Sequence, residues 1–449
     1  MKKLKFAFST THLIMLSFLA AILVGSLLLS LPLSSADGQS VPYIDALFTA
    51  TTATCVTGLV TVTTATTWSV FGQAVILLLI QIGGLGIITV ISGIMIMLHK
   101  KMNISDRLLI QDVFNLNSLS GLVLFLKKVI AGTFIVESVG ALLYMIVFVQ
   151  DFGLRGIWIS VFTSVSAFCN AGIDIIAEDS LCSYANNPLI NAVTAALIVL
   201  GGLGYIVWWD VIRVFRQHKN QPLRHLCLHS KIALSTTAVL IFVGALLIFL
   251  FEYDNSATIK DFTLFEKIEF SLFQSVTTRT AGFATVPQEN LRNPTAFVSM
   301  LLMFIGGSPV GTAGGIKTVT FLVMIAASVS AIKNRNAVTL FGREINKSTV
   351  IKSFAVMGMS FFIVFVSTVL LSCFTDASAI DVMYETVSAT ATVGLTRGLT
   401  GNLGLAAKLL LVVTMYLGRI GPITLAIAFG MKRENQNLIK NPIEEISVG

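Results

Sequence analysis

Four short stretches decide the fold: FTATTATCVTGL at 48–59, FTSVSAFCNAGI at 162–173, FQSVTTRTAGF at 273–283 and YETVSATATVGL at 384–395. Each opens on an aromatic residue, runs on through Ser, Thr and Ala as a short helix would, and closes on a glycine followed by an apolar residue. The glycines, Gly58, Gly172, Gly282 and Gly394, lie 114, 110 and 112 residues apart. The third copy is one residue shorter, so its local geometry need not match the others. A second pattern keeps the same interval: IGGLGII (82–88), LGGLGYI (200–206), IGGSPVG (305–311) and LGRIGPI (417–423). Its first glycines, Gly83, Gly201, Gly306 and Gly418, are 118, 105 and 112 residues apart. Two independent patterns with one period mean four tandem repeats, and repeats fix the architecture before any local reading.

What surrounds these stretches is lipid-like. Of 449 residues, 55% are hydrophobic and 12% charged, and mean hydropathy is +0.86; a soluble domain carries about 25% charged residues. Apolar runs long enough to cross a bilayer core of about 30 Å fall at 12–31, 71–98, 122–149, 188–209, 232–251, 295–332, 350–374 and 404–430, the sixth interrupted by glycines. They are continuous, which disfavours a β-barrel. The basic start MKKLK and Ser34-Ser35-Ala36 could be read as a secretory leader, but the repeat needs the first helix retained. The five cysteines, at 55, 169, 182, 227 and 373, form no CxxC pair and no disulfide framework.

Charge sets the orientation. The N-terminus (Lys2, Lys3, Lys5), segments 100–128, 213–231 and 333–352, and the tail from Lys432 hold 21 of the 30 basic residues. These segments face the cytoplasm, and both termini with them. The opposite loops are acidic, with Asp174, Glu178, Asp179, Glu252, Asp254, Asp261, Glu266, Glu269, Asp376, Asp381 and Glu385; an acidic mouth concentrates cations. The basic patches are topology signals, and no nucleic-acid partner is expected.

The fold expected is therefore an all-α integral membrane protein with eight transmembrane spans. It is built of four outer helix–pore loop–inner helix repeats in a pseudo-fourfold ring: 1–105, 106–220, 221–335 (with a broken inner helix) and 336–449. Two crossings per repeat return the chain to its starting side, which excludes inverted-topology repeats. Re-entrant backbone survives at membrane depth only where protein or water covers it. Four short helices ending in glycine stretches can aim carbonyl rings and helix C-termini at one axis, an environment for a dehydrated monovalent cation. Thr392-Val393-Gly394 even spells the start of a TVGYG filter.

On the four glycine segments, the arginine of the last inner helix and the broken third inner helix, the whole chain resembles the Trk/Ktr/HKT superfamily of potassium transporters. It is most similar to the membrane subunit of bacterial Ktr systems. The resemblance implies potassium (K+) uptake into a bacterial cell through a filter of Val56-Thr57-Gly58, Asn170-Ala171-Gly172, Thr280-Ala281-Gly282 and Val393-Gly394. Glycine rather than serine at Gly58 goes with potassium selectivity in that family. The resemblance also implies a homodimer in membrane lipid on a cytosolic ring of nucleotide-binding regulatory subunits, with sodium (Na+) as an activator whose site no residue here identifies.

A gate is expected below the filter. Arg419 stands where the other repeats have Gly84, Gly202 and Gly307. Opposite it, GGSPVGTAGGIK (306–317) holds five glycines, Gly306, Gly307, Gly311, Gly314 and Gly315, together with Pro309 and Lys317. Such a stretch cannot sustain a helix, and its freed carbonyls suit a guanidinium. The resembling family uses this pair as its gate. The alternatives are a proton- or sodium-coupled carrier and an intramembrane enzyme. A carrier needs buried relays, and few ionisable residues besides Glu137, Lys317 and Arg419 lie within the spans. Glu137 is expected to make an interhelical hydrogen bond or to be neutral. An enzyme needs a nucleophile–base or paired-carboxylate constellation, and the histidines, at 12, 99, 218, 225 and 229, lie at or beyond the helix ends. Cys55 and Cys169 read as packing residues.

Overall fold

The computed structural model describes residues 10–98, 111, 121–177, 179–217, 222–335, 337–421 and 424. The terminal lysines, most of 100–120, the tail from Lys432 and the repeat boundaries at 105/106 and 220/221 lie outside the described residues.

Among the described residues, four helices are long and apolar enough to span a bilayer uninterrupted, and each opens one repeat. These outer helices are α1 (Thr10–Leu29), α5 (Leu122–Phe152), α9 (Leu228–Glu252) and α13 (Lys347–Ser372). Each is followed by a short helix whose polar run is buried: α2 (Tyr43–Cys55), α6 (Arg155–Cys169), α10 (Leu264–Thr277) and α14 (Ala379–Ala391). Capping residues start several helices: a Thr263–Glu266 capping box begins α10, and Ser378 accepts from the Asp381 N–H at α14.

The inner helices are α3 (Val70–Leu85), α7 (Pro188–Leu203), α11 (Asn293–Phe304) and α15 (Leu405–Ile420). The third is broken as expected, but the apolar runs 71–98 and 188–209, expected as continuous spans, are broken as well. Helix α3 gives way to α4 (Ile87–Met97) and α7 to α8 (Tyr205–Gln217), each pair bent by 96°. The breaks fall on Gly86 (φ +83°) and Gly204 (φ +86°), and Gly421 (φ +85°) ends α15 in the same conformation. Only glycine takes that backbone readily. In the third repeat, α11 and α12 (Thr318–Ile332) flank the irregular loop 305–317. A two-residue antiparallel hairpin, Thr339–Leu340 with Arg343–Glu344, precedes α13.

The repeats close into a ring. Each outer helix packs on the short helix of its own repeat, and inner helices pack on the short helix of the next: α3 on α6, α7 on α10, α11 on α14 and α15 back on α2. The same small-to-large contact recurs where outer and inner helices meet. Ideal Cβ atoms on Gly25, Gly140 and Gly244 would lie 2.6, 2.8 and 2.7 Å from Leu79, Leu197 and Leu302 side chains. Glycine there lets the helices approach closely enough for dispersion contacts to hold them without a water-driven effect. The chain is a multi-pass membrane protein.

Candidate functional site

The short helices point their C-termini inward, and three of them end the same way. Val56, Asn170 and Thr392 cap α2, α6 and α14 in left-handed conformation, with φ of 56°, 59° and 52°. In the shorter third copy α10 ends at Thr277, three residues before its left-handed residue, Thr280 (φ 65°). Two residues beyond each stand Gly58, Gly172, Gly282 and Gly394, again at positive φ (99°, 65°, 85° and 97°). The residue between has negative φ in every copy, so handedness alternates along each segment. Alternation brings successive carbonyls to the same side of the chain, whereas a regular strand would turn them to opposite sides.

The four glycines face one another around one axis. An ideal Cβ on Gly58 would lie 2.6 Å from the Ala171 carbonyl oxygen, and one on Gly172 would lie 2.4 Å from that of Ala281. On Gly282 it would meet Val393 O at 2.4 Å, and on Gly394 it would meet Thr57 O at 2.3 Å, which closes the ring from the fourth repeat to the first. No side chain fits at any of the four positions without moving backbone. Hydroxyl struts hold the segments: the Gly58 N–H donates to Thr52 Oγ1 (2.9 Å), the Ile173 N–H to Ser166 Oγ (3.1 Å) and the Gly394 N–H to Ser388 Oγ (3.0 Å). In the third copy the shift by one residue reverses the strut, and Thr277 Oγ1 donates to the Phe283 carbonyl (2.7 Å).

All four glycines line one cavity of about 310 Å³, with Asp174, Asp179 and Glu289 on its walls. Three other acids expected at this mouth, Glu252, Asp381 and Glu385, are otherwise engaged. Glu252 is fully buried, accepting from the Arg292 N–H (2.9 Å), Thr295 (2.5 Å), Asn255 (2.6 Å) and Thr258 (2.7 Å). Glu385 accepts from Thr396 and Thr400, and Asp381 pairs with Arg397 at 2.7 Å. These carboxylates hold loops together.

A second cavity, about 340 Å³, is lined by Gly314, Gly315, Lys317, Thr390, Gly418 and Arg419. The loop 305–317 borders it and makes tight contacts with three repeats. It is seated on the break of α7: the Ser308 N–H donates to Gly202 O (2.8 Å), the Thr312 N–H to Gly201 O (3.1 Å) and the Tyr205 N–H to Val310 O (3.1 Å). It touches the glycine segments directly. Thr312 Oγ1 donates to Phe168 O and to Asn170 Oδ1 (both 3.1 Å), and the Gly314 N–H donates to Thr280 Oγ1 (3.2 Å). A Cβ on Gly314 would meet Thr392 Oγ1 at 1.9 Å, and one on Gly307 would meet the Ala313 Cβ at 2.4 Å. Gly311 lies against Gly201 O, and Gly315 against Gly306.

Arg419 reaches this loop, as the freed carbonyls suggested. Its Nη1 donates to Thr312 O at 2.8 Å and its Nη2 to Gly83 O. Lys317 Nζ donates to Ala313 O at 2.5 Å. One guanidinium thus ties the fourth inner helix to the third-repeat loop and to the first inner helix. Two parts of the site escaped the sequence reading. Arg279, inside the third glycine segment, is buried and donates to Gly306 O (3.2 Å) and Thr237 Oγ1 (3.4 Å). Its signal was a lone cation within the run TTRTAG. The other is the glycine break at Gly204, on which the loop rests. Glu137 accepts from Gln81 Nε2 at 3.3 Å, an interhelical hydrogen bond of the kind expected. No His/Cys/Asp/Glu group among the described residues could hold a metal ion.

Comparison with known proteins gives the family. The family model described as "Cation transport protein" (TrkH) matches residues 3–441. The chain belongs to the TrkH family. Among its relatives, the Ktr system potassium uptake protein B of Bacillus subtilis is 38% identical over 98% of this chain and 97% of its own length. The potassium/sodium uptake protein NtpJ of Enterococcus hirae is 36% identical over 100% and 99%. The crystal structure of the potassium transporter TrkH from Vibrio parahaemolyticus superposes with a TM-score of 0.76 over 96% of this chain and 86% of that one. At 16% identity it speaks for the fold. These TrkH-family proteins are ion transporters, and this chain is not an enzyme.

Proposed function

We propose that this chain is the pore-forming subunit of a Ktr-type potassium uptake system in a bacterial cell membrane, with both termini cytoplasmic. The observation that carries the reading is the ring of Gly58, Gly172, Gly282 and Gly394, contributed by one chain and lining one cavity. In this reading Val56-Thr57-Gly58, Asn170-Ala171-Gly172, Thr280-Ala281-Gly282 and Val393-Gly394 are the selectivity filter. Their backbone oxygens replace the water shell of K+. Loop 306–317 and Arg419 are the gate, and Lys317 adds a second cation beside it. Potassium enters down the membrane potential, which supplies about 2.3 kcal/mol per elementary charge for each 100 mV.

Each repeat is one helix–loop–helix unit, with boundaries at 105/106, 220/221 and 335/336. Two copies of the chain sit on a cytosolic nucleotide-binding regulatory ring, whose movement draws the loop and Arg419 apart. Support for the ring comes from the names of the Bacillus subtilis relatives, which are parts of Ktr systems. Sodium acts as an activator, and the Enterococcus hirae relative carries sodium in its name.

The test is uptake into proteoliposomes at an imposed interior-negative potential, with and without sodium. Saturable potassium uptake that scales with potential and is stimulated by sodium is expected. Uptake that ignores the potential and follows an imposed proton or sodium gradient would replace this reading with a coupled carrier.

A further inference from the structure

A third cavity lies at the other end of the bundle from the glycine ring. Helix α5 is 31 residues long, about 47 Å at 1.5 Å per residue, and its Phe152 end leads straight into α6. Tyr184, in the loop leading from the glycine segment to α7, donates to Asp151 there at 2.7 Å. The Leu122 end is therefore remote from the glycine ring. Beside it is a cavity of about 610 Å³ lined by Phe125, Lys128, Trp209, Arg213 and Arg216, with Asp210 and Ile212.

Its chemistry is specific. The acid on its wall is committed: Asp210 accepts from Arg213 Nη2 at 2.5 Å and from the Cys227 N–H at 2.9 Å. Lys128 and Arg216 are exposed and have no carboxylate partner among the described residues. The Lys128 ammonium stands 5.3 Å from the centre of the Trp209 ring. The Trp209 indole N–H is covered and has no acceptor among the described residues.

Orientation adds the rest. Helix α8 turns 96° from α7, so the two helices cannot both run along the bundle axis. Helix α8 exposes Ile212 and Phe215 next to Arg213 and Arg216. A helix of that pattern lies at the headgroup level, with apolar side chains dipping toward acyl chains. Basic pockets between helices on the cytoplasmic side suit anionic headgroups.

We propose that this cavity binds one anionic phospholipid. Lys128 and Arg216 hold its phosphate beside the neutral Arg213–Asp210 pair, and the acyl chains lie along Ile212 and Phe215. An acidic protein surface would satisfy the two cations, but it would leave the apolar walls and the exposed face of α8 unmatched.

The test uses the full chain in neutral detergent, titrated with dioleoyl-phosphatidylglycerol, dioleoyl-phosphatidylcholine or inorganic phosphate. Retained lipid is counted by native mass spectrometry and stability is followed by thermal unfolding. Phosphatidylglycerol should bind and raise the melting temperature, while the other two should do neither. Lys128→Gln/Arg216→Gln should weaken phosphatidylglycerol binding about 30-fold, and Arg216→Gln alone about fivefold. The matched Lys127→Gln/Lys333→Gln, exposed cations outside the cavity, should bind as the wild type does. Equal binding of phosphatidylcholine would overturn the proposal. So would the full effect with inorganic phosphate alone, equal losses in the two double variants, or undiminished binding in the cavity variant.

Discussion

A single methyl group is too much at the glycine ring. Gly282 sits at φ +85°, and its Cβ would be 2.4 Å from the Val393 carbonyl oxygen. The left-handed backbone alone costs an L-residue about 1–2 kcal/mol, and relieving the overlap must displace the neighbouring segment. Gly282→Ala should lower the melting temperature by several degrees and cut potassium uptake at least tenfold. Gly121→Ala is the control: it has a similar φ of +75° with nothing within 4 Å, and it should leave uptake unchanged. Thermal unfolding and flux on the same preparations check both. The ring glycines were legible in sequence because four copies at one period expose what a single TVG cannot. Arg279 was not, since a lone buried cation reveals its carbonyl partner only when Gly306, 27 residues away, is folded against it.

Among the elements, the loop 305–317 is held in its seat by hydrogen bonds with α6, α7 and the third glycine segment, and Arg419 adds a charged donor to Thr312 O. A hydrogen bond to a charged group contributes about 1.5–3 kcal/mol, so losing the Arg419 bond to Thr312 O should loosen the loop in its seat, while losing the bond to Gly83 O frees α15 from α3. Arg419→Ala should raise potential-driven potassium flux severalfold and weaken its dependence on a regulatory partner. Thr312→Val keeps the carbonyl that Arg419 uses but loses the hydroxyl bonded to Phe168 and Asn170, and should raise flux more modestly. If both insert normally and conduct no faster than wild type, the gate lies elsewhere. The loop and its arginine could be anticipated, because five glycines and a proline leave carbonyls that need donors. The breaks at Gly86 and Gly204 could not. Each closes a GGLG stretch inside an apolar run long enough to read as one span, and what completes the break at Gly204 is tertiary: its Cβ would meet Pro309 O at 2.3 Å, and the next N–H is claimed by Val310.

At the scale of the whole molecule, α15 packing back on α2 means that one chain closes its own ring. That has a stoichiometric consequence. When wild type is mixed with a non-conducting filter variant and reconstituted together, flux should fall in proportion to the wild-type fraction. A pore shared by four chains would give a fall close to the fourth power of that fraction. The pseudo-fourfold ring was visible in the sequence at this scale because the period survives even where side chains differ. The one-residue deletion in the third copy, noted from sequence, alters only its strut and helix end. The central claim, that the glycine segments of one chain select potassium, is tested most directly by the potassium-to-sodium flux ratio of Gly58→Ser in proteoliposomes at fixed potential. The added Cβ and hydroxyl point at the Ala171 carbonyl, 2.6 Å from the Cβ position. The ratio should therefore drop by tenfold or more, or potassium uptake should be lost. An unchanged ratio at unchanged flux, in protein that folds normally, would contradict it.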